Sequence, residues 1–135
     1  MSDNELVKQN QEELLQYLNS KELGVDLPNP FERDIFLFDT FVAGSTHIEN
    51  IEEIAENINI GDKLKFYREF DNKVDPQAIR IETQENIKIG YVPQQDNVIF
   101  SRLMDSGKEI FGKVEDKEMR GRWLKMGISI YLHES

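Results

Sequence analysis

The spacing of apolar residues changes in character near residue 34. Upstream, apolar side chains recur near the spacing of a weakly amphipathic helix at Leu6, Val7, Leu14, Leu15 and Leu18. Gly24 and the Pro-Asn-Pro sequence at residues 28–30 then end any regular element. We interpret residues 1–30 as an acidic N-terminal helical appendage and linker, and residues 31–135 as the main domain. The appendage is suited to pack on that domain, to contact a second copy, or to cover a basic groove.

The main domain begins with a strand and a helix. Residues 34–42 form a short, almost continuous apolar run, which is typical of a strand buried on both faces. Residues 46–49 have the spacing of a capping box, with Thr46 as N-cap and Glu49 three positions later. The helix predicted after it has a buried stripe formed by Ile48, Ile51, Ile54 and Ile58.

The rest of the domain alternates short strands with one further helix. The pattern predicts a strand, a hairpin, a helix and two closing strands, at residues 64–70, 78–81 with 87–92, 95–106, 109–114 and 124–132. A polar turn at residues 115–123 separates the last two strands. The order β, α, β, β, β, α, β, β predicts a mainly β (α+β) fold, a small, partly open antiparallel barrel with two inserted short helices and the N-terminal helix.

The amino-acid composition and the net charge exclude several kinds of site and bear on the binding partner. The chain of 135 residues has apolar residues for one core but no cysteine, which excludes disulfides, a thiol nucleophile and cysteine-ligated zinc. No signal peptide and no long apolar run is present, so the cytoplasm is the expected compartment. The net charge of −10 repels nucleic acid at long range.

Motifs for catalysis are missing. The two histidines, His47 and His133, accompany no nucleophile turn, and the acidic residues at 52–56 lack a paired histidine. No glycine-rich phosphate loop occurs. We therefore expect a non-enzymatic protein without a metal or other cofactor.

Four ordered blocks are more distinctive than any single motif. They are the R-E-F-D-N-K-V-D-P-Q-A-I sequence at residues 68–79, I-G-Y-V-P at 89–93, V-A-G at 42–44 and G-D-K-L at 61–64. In chain order they resemble the HIRAN domain family, whose pattern is roughly V-x-G, G-D-x-L, R-E-P-x-N-x-x-D-x-x-A-I and I-G-Y-[VI]-P. The resemblance covers about residues 36–132.

The resemblance implies an OB-like β-barrel that binds nucleic acid. DNA-binding members of the family grip the 3′ end of a single strand, and the aspartate of the N-x-x-D block contacts the terminal hydroxyl. By position, Asn72, Asp75 and Tyr91 inherit such roles here. Asn72 and Asp75 also have a structural interpretation, because both side chains are suited to fix a turn.

This chain departs from the DNA-binding members at several positions. Thr46 and His47 stand where those members have a basic and an aromatic residue. Val74 replaces an aromatic residue, and Gln94 replaces a basic residue. His47 and Tyr91 are the available substitutes for stacking. The substitute charges are Arg68, Lys73 and Arg80.

A second basic and aromatic set has the composition of a single-strand-binding surface. It comprises Lys117, Arg120, Arg122, Trp123 and Lys125. A solvated turn with the tryptophan packed on the barrel is the favoured interpretation of the same residues.

Two functions are open on the sequence. The first is a nucleic-acid-binding module for single-stranded DNA or DNA ends, with Asn72, Asp75, Tyr91, His47, Arg68 and Lys73 as its site. The second is a protein-interaction or regulatory module that binds a protein partner or a second copy through the N-terminal helix. The block pattern favours the first, and the acidic charge favours the second.

Overall fold

The computed structural model describes residues 32–134. Within them, Asp34–His133 form one compact unit. Its elements in chain order are β1 (Arg33–Phe41), a 3₁₀ turn (Ser45–His47), α1 (Ile51–Glu56), β2 (Lys63–Arg68), β3 (Ile79–Glu82), β4 (Lys88–Tyr91), α2 (Gln94–Asp105), β5 (Glu109–Arg120) and β6 (Trp123–Glu134). The predicted N-terminal helix lies outside the described residues.

The strands form one curled, six-stranded sheet in the order β1-β6-β5-β2-β3-β4. Antiparallel pairs join β5 to β6, β5 to β2, β2 to β3 and β3 to β4. The prediction of a mainly β half-barrel with two helices is confirmed. None of the described helices is long and apolar enough to cross a membrane.

The two ends of the sheet meet just after β1. Ala43 and Tyr91 exchange two backbone hydrogen bonds of 2.8 Å each, which link the end of β1 to β4. Gly90 makes this approach possible, because a Cβ atom there would lie 2.6 Å from Val42 Cγ1 and would also collide with the carbonyl oxygen of Ala43. The closure brings the chain after β1 beside the loop that follows β2.

The core lies inside the curl and under both helices. Inward side chains alternate with outward ones along β2, where Leu64 and Phe66 are buried and Lys63 and Tyr67 are exposed. The fully buried side chains of the core include Leu64, Ile79, Ile81, Ile89, Leu124, Met126, Ile128 and Ile130. This packing makes the strands a firm support for the loops between them.

The prediction that β1 is buried on both faces is wrong. Phe36, Phe38 and Phe41 are 53%, 42% and 45% exposed. The strand lies at the end of the strand order and has a single strand neighbour, β6, along its length. Its apolar run therefore reflects contacts on one face and an uncovered surface on the other among the described residues.

The predicted capping box is also wrong. Thr46 lies within the 3₁₀ turn, and Ile48 then takes an extended conformation. The helix begins later, after Asn50, which adopts a left-handed conformation with φ 58° and makes no side-chain cap hydrogen bond. The predicted apolar stripe survives in part, because Ile51 and Ile58 are buried.

The predicted polar turn at residues 115–123 is a continuation of the hairpin instead. Pairing of β5 with β6 runs on to Arg120 and Trp123, so the turn contains two residues. One polar residue of this segment, Lys117, has a structural role, because its Nζ donates to the backbone carbonyls of Ala55 and Ile58 at the end of α1.

Candidate nucleic-acid interface

A mostly apolar groove of about 390 Å³ opens where the sheet closes. We call it the closure groove. Its lining comes from the chain after β1, the loop after β2, and β4 with the start of α2: Ala43, Gly44, His47, Asn72, Val74, Asp75, Ala78, Tyr91, Val92 and Gln94. The structure thus brings together four of the predicted site residues, Asn72, Asp75, Tyr91 and His47.

Asn72 organises the loop after β2. Its Oδ1 accepts hydrogen bonds from the backbone N–H groups of Val74 (3.0 Å) and Asp75 (2.9 Å). Its Nδ2 donates to Glu69 Oε1 at 3.1 Å. The predicted turn-fixing role is therefore confirmed, and the turn presents Val74 and Asp75 to the groove.

Asp75 is anchored on both carboxylate oxygens. Oδ1 accepts from the backbone N–H of Gln77 at 2.9 Å, and Oδ2 accepts from Asn97 Nδ2 at 2.6 Å. Asn97 belongs to α2 and is 2% exposed. The carboxylate is thus held between its own turn and a helix. A carboxylate offers about four acceptor positions, so two hydrogen bonds leave it able to accept others.

Glu69 connects the two sides of this loop network. Tyr91 Oη donates to Glu69 Oε1 at 2.8 Å and accepts from Lys88 Nζ at 2.7 Å. Burial acts to raise the pKa of Glu69, but the hydrogen bonds from Tyr91 and Asn72 and the charges of Lys88 and Arg80 together lower it below its ordinary value. The ionised carboxylate therefore fixes the tyrosine hydroxyl and leaves its ring to line the groove.

The part of the chain that matches known proteins is nearly the same as the compact unit Asp34–His133. The family model for the HIRAN domain matches residues 35–135. The chain belongs to the HIRAN domain family. A comparison with curated proteins finds no match.

Two crystal structures share the fold of this HIRAN domain. A protein from Lactobacillus plantarum is 22% identical, with a TM-score of 0.72, over 77% of this chain and 99% of that one. The HIRAN domain of human HLTF is 14% identical, with a TM-score of 0.60, over 76% of this chain and 80% of that one.

The remaining predicted residues, Arg68 and Lys73, are not part of the groove lining. The Arg68 guanidinium donates to Asp105 Oδ1 (2.9 Å) and to the backbone carbonyls of Ala78 (2.6 Å) and Pro76 (3.1 Å). It ties the loop after β2 to the end of α2. Lys73 is exposed at the tip of the same loop.

His47 lies between the closure groove and a neighbouring depression. That depression is lined by residues 46–53 and by Arg122 from the β5–β6 turn. His47 and Thr46 are exposed. Arg122 is the member of the second basic set that the fold brings beside His47.

Three residues that support the closure groove escaped the sequence analysis: Glu69, Lys88 and Asn97. Glu69 lies within the block at residues 68–79 and Lys88 directly before the block at 89–93, and this proximity to Asn72 and Tyr91 was the available signal. Asn97 gave no local signal, because a polar residue in an amphipathic helix looks exposed until the helix is docked. Among residues 32–134, no group of acidic or histidine side chains is arranged to hold a metal ion.

Proposed function

We propose that this HIRAN domain is a nucleic-acid-binding module that holds the end of a single DNA strand in the closure groove. The observation that carries the proposal is the position of Asp75. Its carboxylate lines a mostly apolar groove and is fixed by Gln77 and Asn97 while it keeps acceptor capacity. A terminal sugar hydroxyl is the donor that a strand end adds to ordinary phosphodiester DNA.

The rest of the groove suits a sugar and a base. Val74 is 87% exposed at its edge, and the ring of Tyr91 is held by its hydroxyl contacts with Glu69 and Lys88. Apolar and aromatic surface of this kind stacks bases without regard to sequence. The groove is therefore suited to recognise the end of a strand and not its base sequence.

Electrostatics make this a weak interaction with few phosphate contacts. The chain has a net charge of −10, and the cation nearest to the ring of Tyr91, Lys88, already serves the hydroxyl of that tyrosine. Arg122, beside His47, is placed to meet a phosphate leaving the groove. Few phosphate contacts give a shallow salt dependence and modest affinity.

Fluorescence anisotropy of a labelled strand of about ten nucleotides with a free 3′ hydroxyl tests the proposal. Asp75→Asn keeps the size of the side chain and removes its charge. Asp71→Asn is the matched control, because it removes one charge from an exposed residue of the same loop outside the groove lining. Long-range electrostatics predict that both variants bind DNA slightly more tightly.

The proposed contact predicts opposite signs for the two variants. Asp75→Asn loses a hydrogen bond to a charged group and weakens binding roughly tenfold or more, whereas Asp71→Asn binds at least as well as wild type. Circular dichroism checks that both fold. If Asp75→Asn behaves like Asp71→Asn, or if the wild type does not bind the strand at about 50 mM salt, the proposal is wrong and a protein partner takes its place.

A further inference from the structure

The outward face of the sheet carries a row of three aromatic rings that the closure groove does not use. Phe36 of β1, Tyr131 of β6 and Phe111 of β5 follow one another across adjacent strands. Phe36 meets Tyr131 edge to face with ring centroids 5.9 Å apart, and Tyr131 stacks on Phe111 at 5.5 Å. We call these rings and the lysines beside them the outer sheet face.

Lysines flank the aromatic row on the side of β2. Lys65 is paired with Phe111 across the strands, and Lys63 is paired directly with Lys113. The ammonium of Lys63 lies 5.1 Å from the centroid of the Phe111 ring, and that of Lys113 lies 4.8 Å from the centroid of the Tyr131 ring. Two positive charges thus lie against the rings, while Lys65 directs its ammonium to the backbone carbonyl of Gln84 and to Asn86 Oδ1.

The pairing of Lys63 with Lys113 places two like charges directly opposite each other. Like charges directly opposite each other on neighbouring strands destabilise a sheet. In the part of the chain that the structure describes, neither ammonium has a carboxylate oxygen within 4 Å. This occurs in a chain with 26 acidic and 16 basic residues, where acidic partners are abundant.

Three acidic groups border the outer sheet face, and each lies against a neighbouring side chain. Asp34 lies 2.7 Å from His133 Nδ1. Asp39 and Glu115 lie 2.6 and 2.7 Å from the hydroxyl of Ser129. The pKa of Asp34 is lowered chiefly by its hydrogen bond with His133 and further by the charges of Lys63 and Lys113, so Asp34 lies near the lysine pair. It makes no ion pair with either ammonium, which leaves both ammonium groups open to a direct contact with a phosphate.

We propose that the outer sheet face is a second binding surface, for the interior of a single-stranded nucleic acid. Phe36, which is 53% exposed, offers a ring for a base, and Lys63 and Lys113 meet the backbone phosphates. Exposed aromatics beside cations on a sheet are the combination that single-strand binders use. The surface is separate from the closure groove and needs no strand end, so it goes beyond the function proposed above.

A labelled single-stranded DNA circle tests this surface, because a circle has no end for the closure groove to hold. Lys63→Gln/Lys113→Gln removes the facing charges, and Phe36→Ala removes the exposed ring. Arg102→Gln/Lys108→Gln is the charge-matched control, taken from exposed positions at and just after the end of α2. Anisotropy is measured with the full chain at about 50 and about 200 mM salt.

The lysine pair variant should bind the circle roughly tenfold more weakly and lower the slope of log affinity against log salt by about 1.4. Phe36→Ala should lose roughly fivefold or more. The control should stay within about threefold of wild type. Relief of the repulsion between the facing charges offsets the loss of the two cation–π contacts, so the urea midpoint of the lysine pair variant should stay close to that of wild type.

Three results would overturn the proposal. One is the absence of circle binding by the wild type at the lower salt concentration. Another is an equal loss of affinity in the lysine pair variant and its control. The third is binding to phosphatidylserine vesicles, but not to the circle, that depends on the lysine pair. Asp75→Asn should leave circle binding unchanged, so the two surfaces stand or fall separately.

Discussion

Closure of the sheet at Gly90 brings the two sides of the closure groove together. Adding a methyl group at Gly90 tests this arrangement. In Gly90→Ala the added Cβ would collide with the carbonyl oxygen of Ala43 and approach Val42 Cγ1 to 2.6 Å. The backbone must separate, which endangers the two 2.8 Å hydrogen bonds between Ala43 and Tyr91. Their loss costs about 1 to 3 kcal/mol, and residual overpacking adds about 1 to 3 kcal/mol.

Gly121→Ala is the matched control. Gly121 also has positive φ (63°), but a Cβ there meets nothing within 4 Å. The variant is therefore destabilised only by the left-handed backbone conformation, by about 1 kcal/mol. Urea unfolding followed by the fluorescence of Trp123, the single tryptophan, measures both. Gly90→Ala should unfold at a urea concentration roughly 1 M lower than Gly121→Ala. Equal midpoints would refute the steric argument for closure.

Three further predictions concern the loop after β2. The pKa of Glu69 lies below its ordinary value of 4.5, so its stabilising effect is present above that pH and is lost as pH falls through the lower folded value. Glu69→Gln should therefore flatten the acid side of a stability–pH profile measured with urea. Arg68→Ala, which breaks contacts with Asp105 and two carbonyls, should cost about 2 to 3 kcal/mol in the same assay. Val74→Tyr, at a position 87% exposed, should leave the midpoint unchanged and tighten binding of a strand end roughly fivefold or more by anisotropy.

Local pattern predicted most of the sheet and its helices. Alternation along β2, the hairpin of β3 and β4, and the apolar spacing of α2 each reflect a burial period that the sequence itself contains. The failures share a cause. The burial of Phe36 depends on what covers β1, and the role of Lys117 depends on its hydrogen bonds with the end of α1. Both are decided by other elements.

The site was predictable where residues in one block act on each other. Asn72 and Asp75 bond their own loop, as Asx residues do. The meeting of that loop with His47 and Tyr91 came from the family pattern, since no local rule places residues 25 positions apart together. The role of Asn97 could not be predicted, because its hydrogen bond with Asp75 forms only when α2 is docked on the sheet.

Backbone amide NMR of the uniformly labelled chain, titrated with a short DNA strand bearing a free 3′ hydroxyl, tests the central claim most directly. The account predicts that the largest shift changes occur at Gly44, His47, Val74, Gln77 and Tyr91, around the closure groove. A strand with a 3′ phosphate should produce smaller changes there at the same concentration. Equal changes with both strands, or changes confined to residues away from the groove, would contradict end recognition by this HIRAN domain.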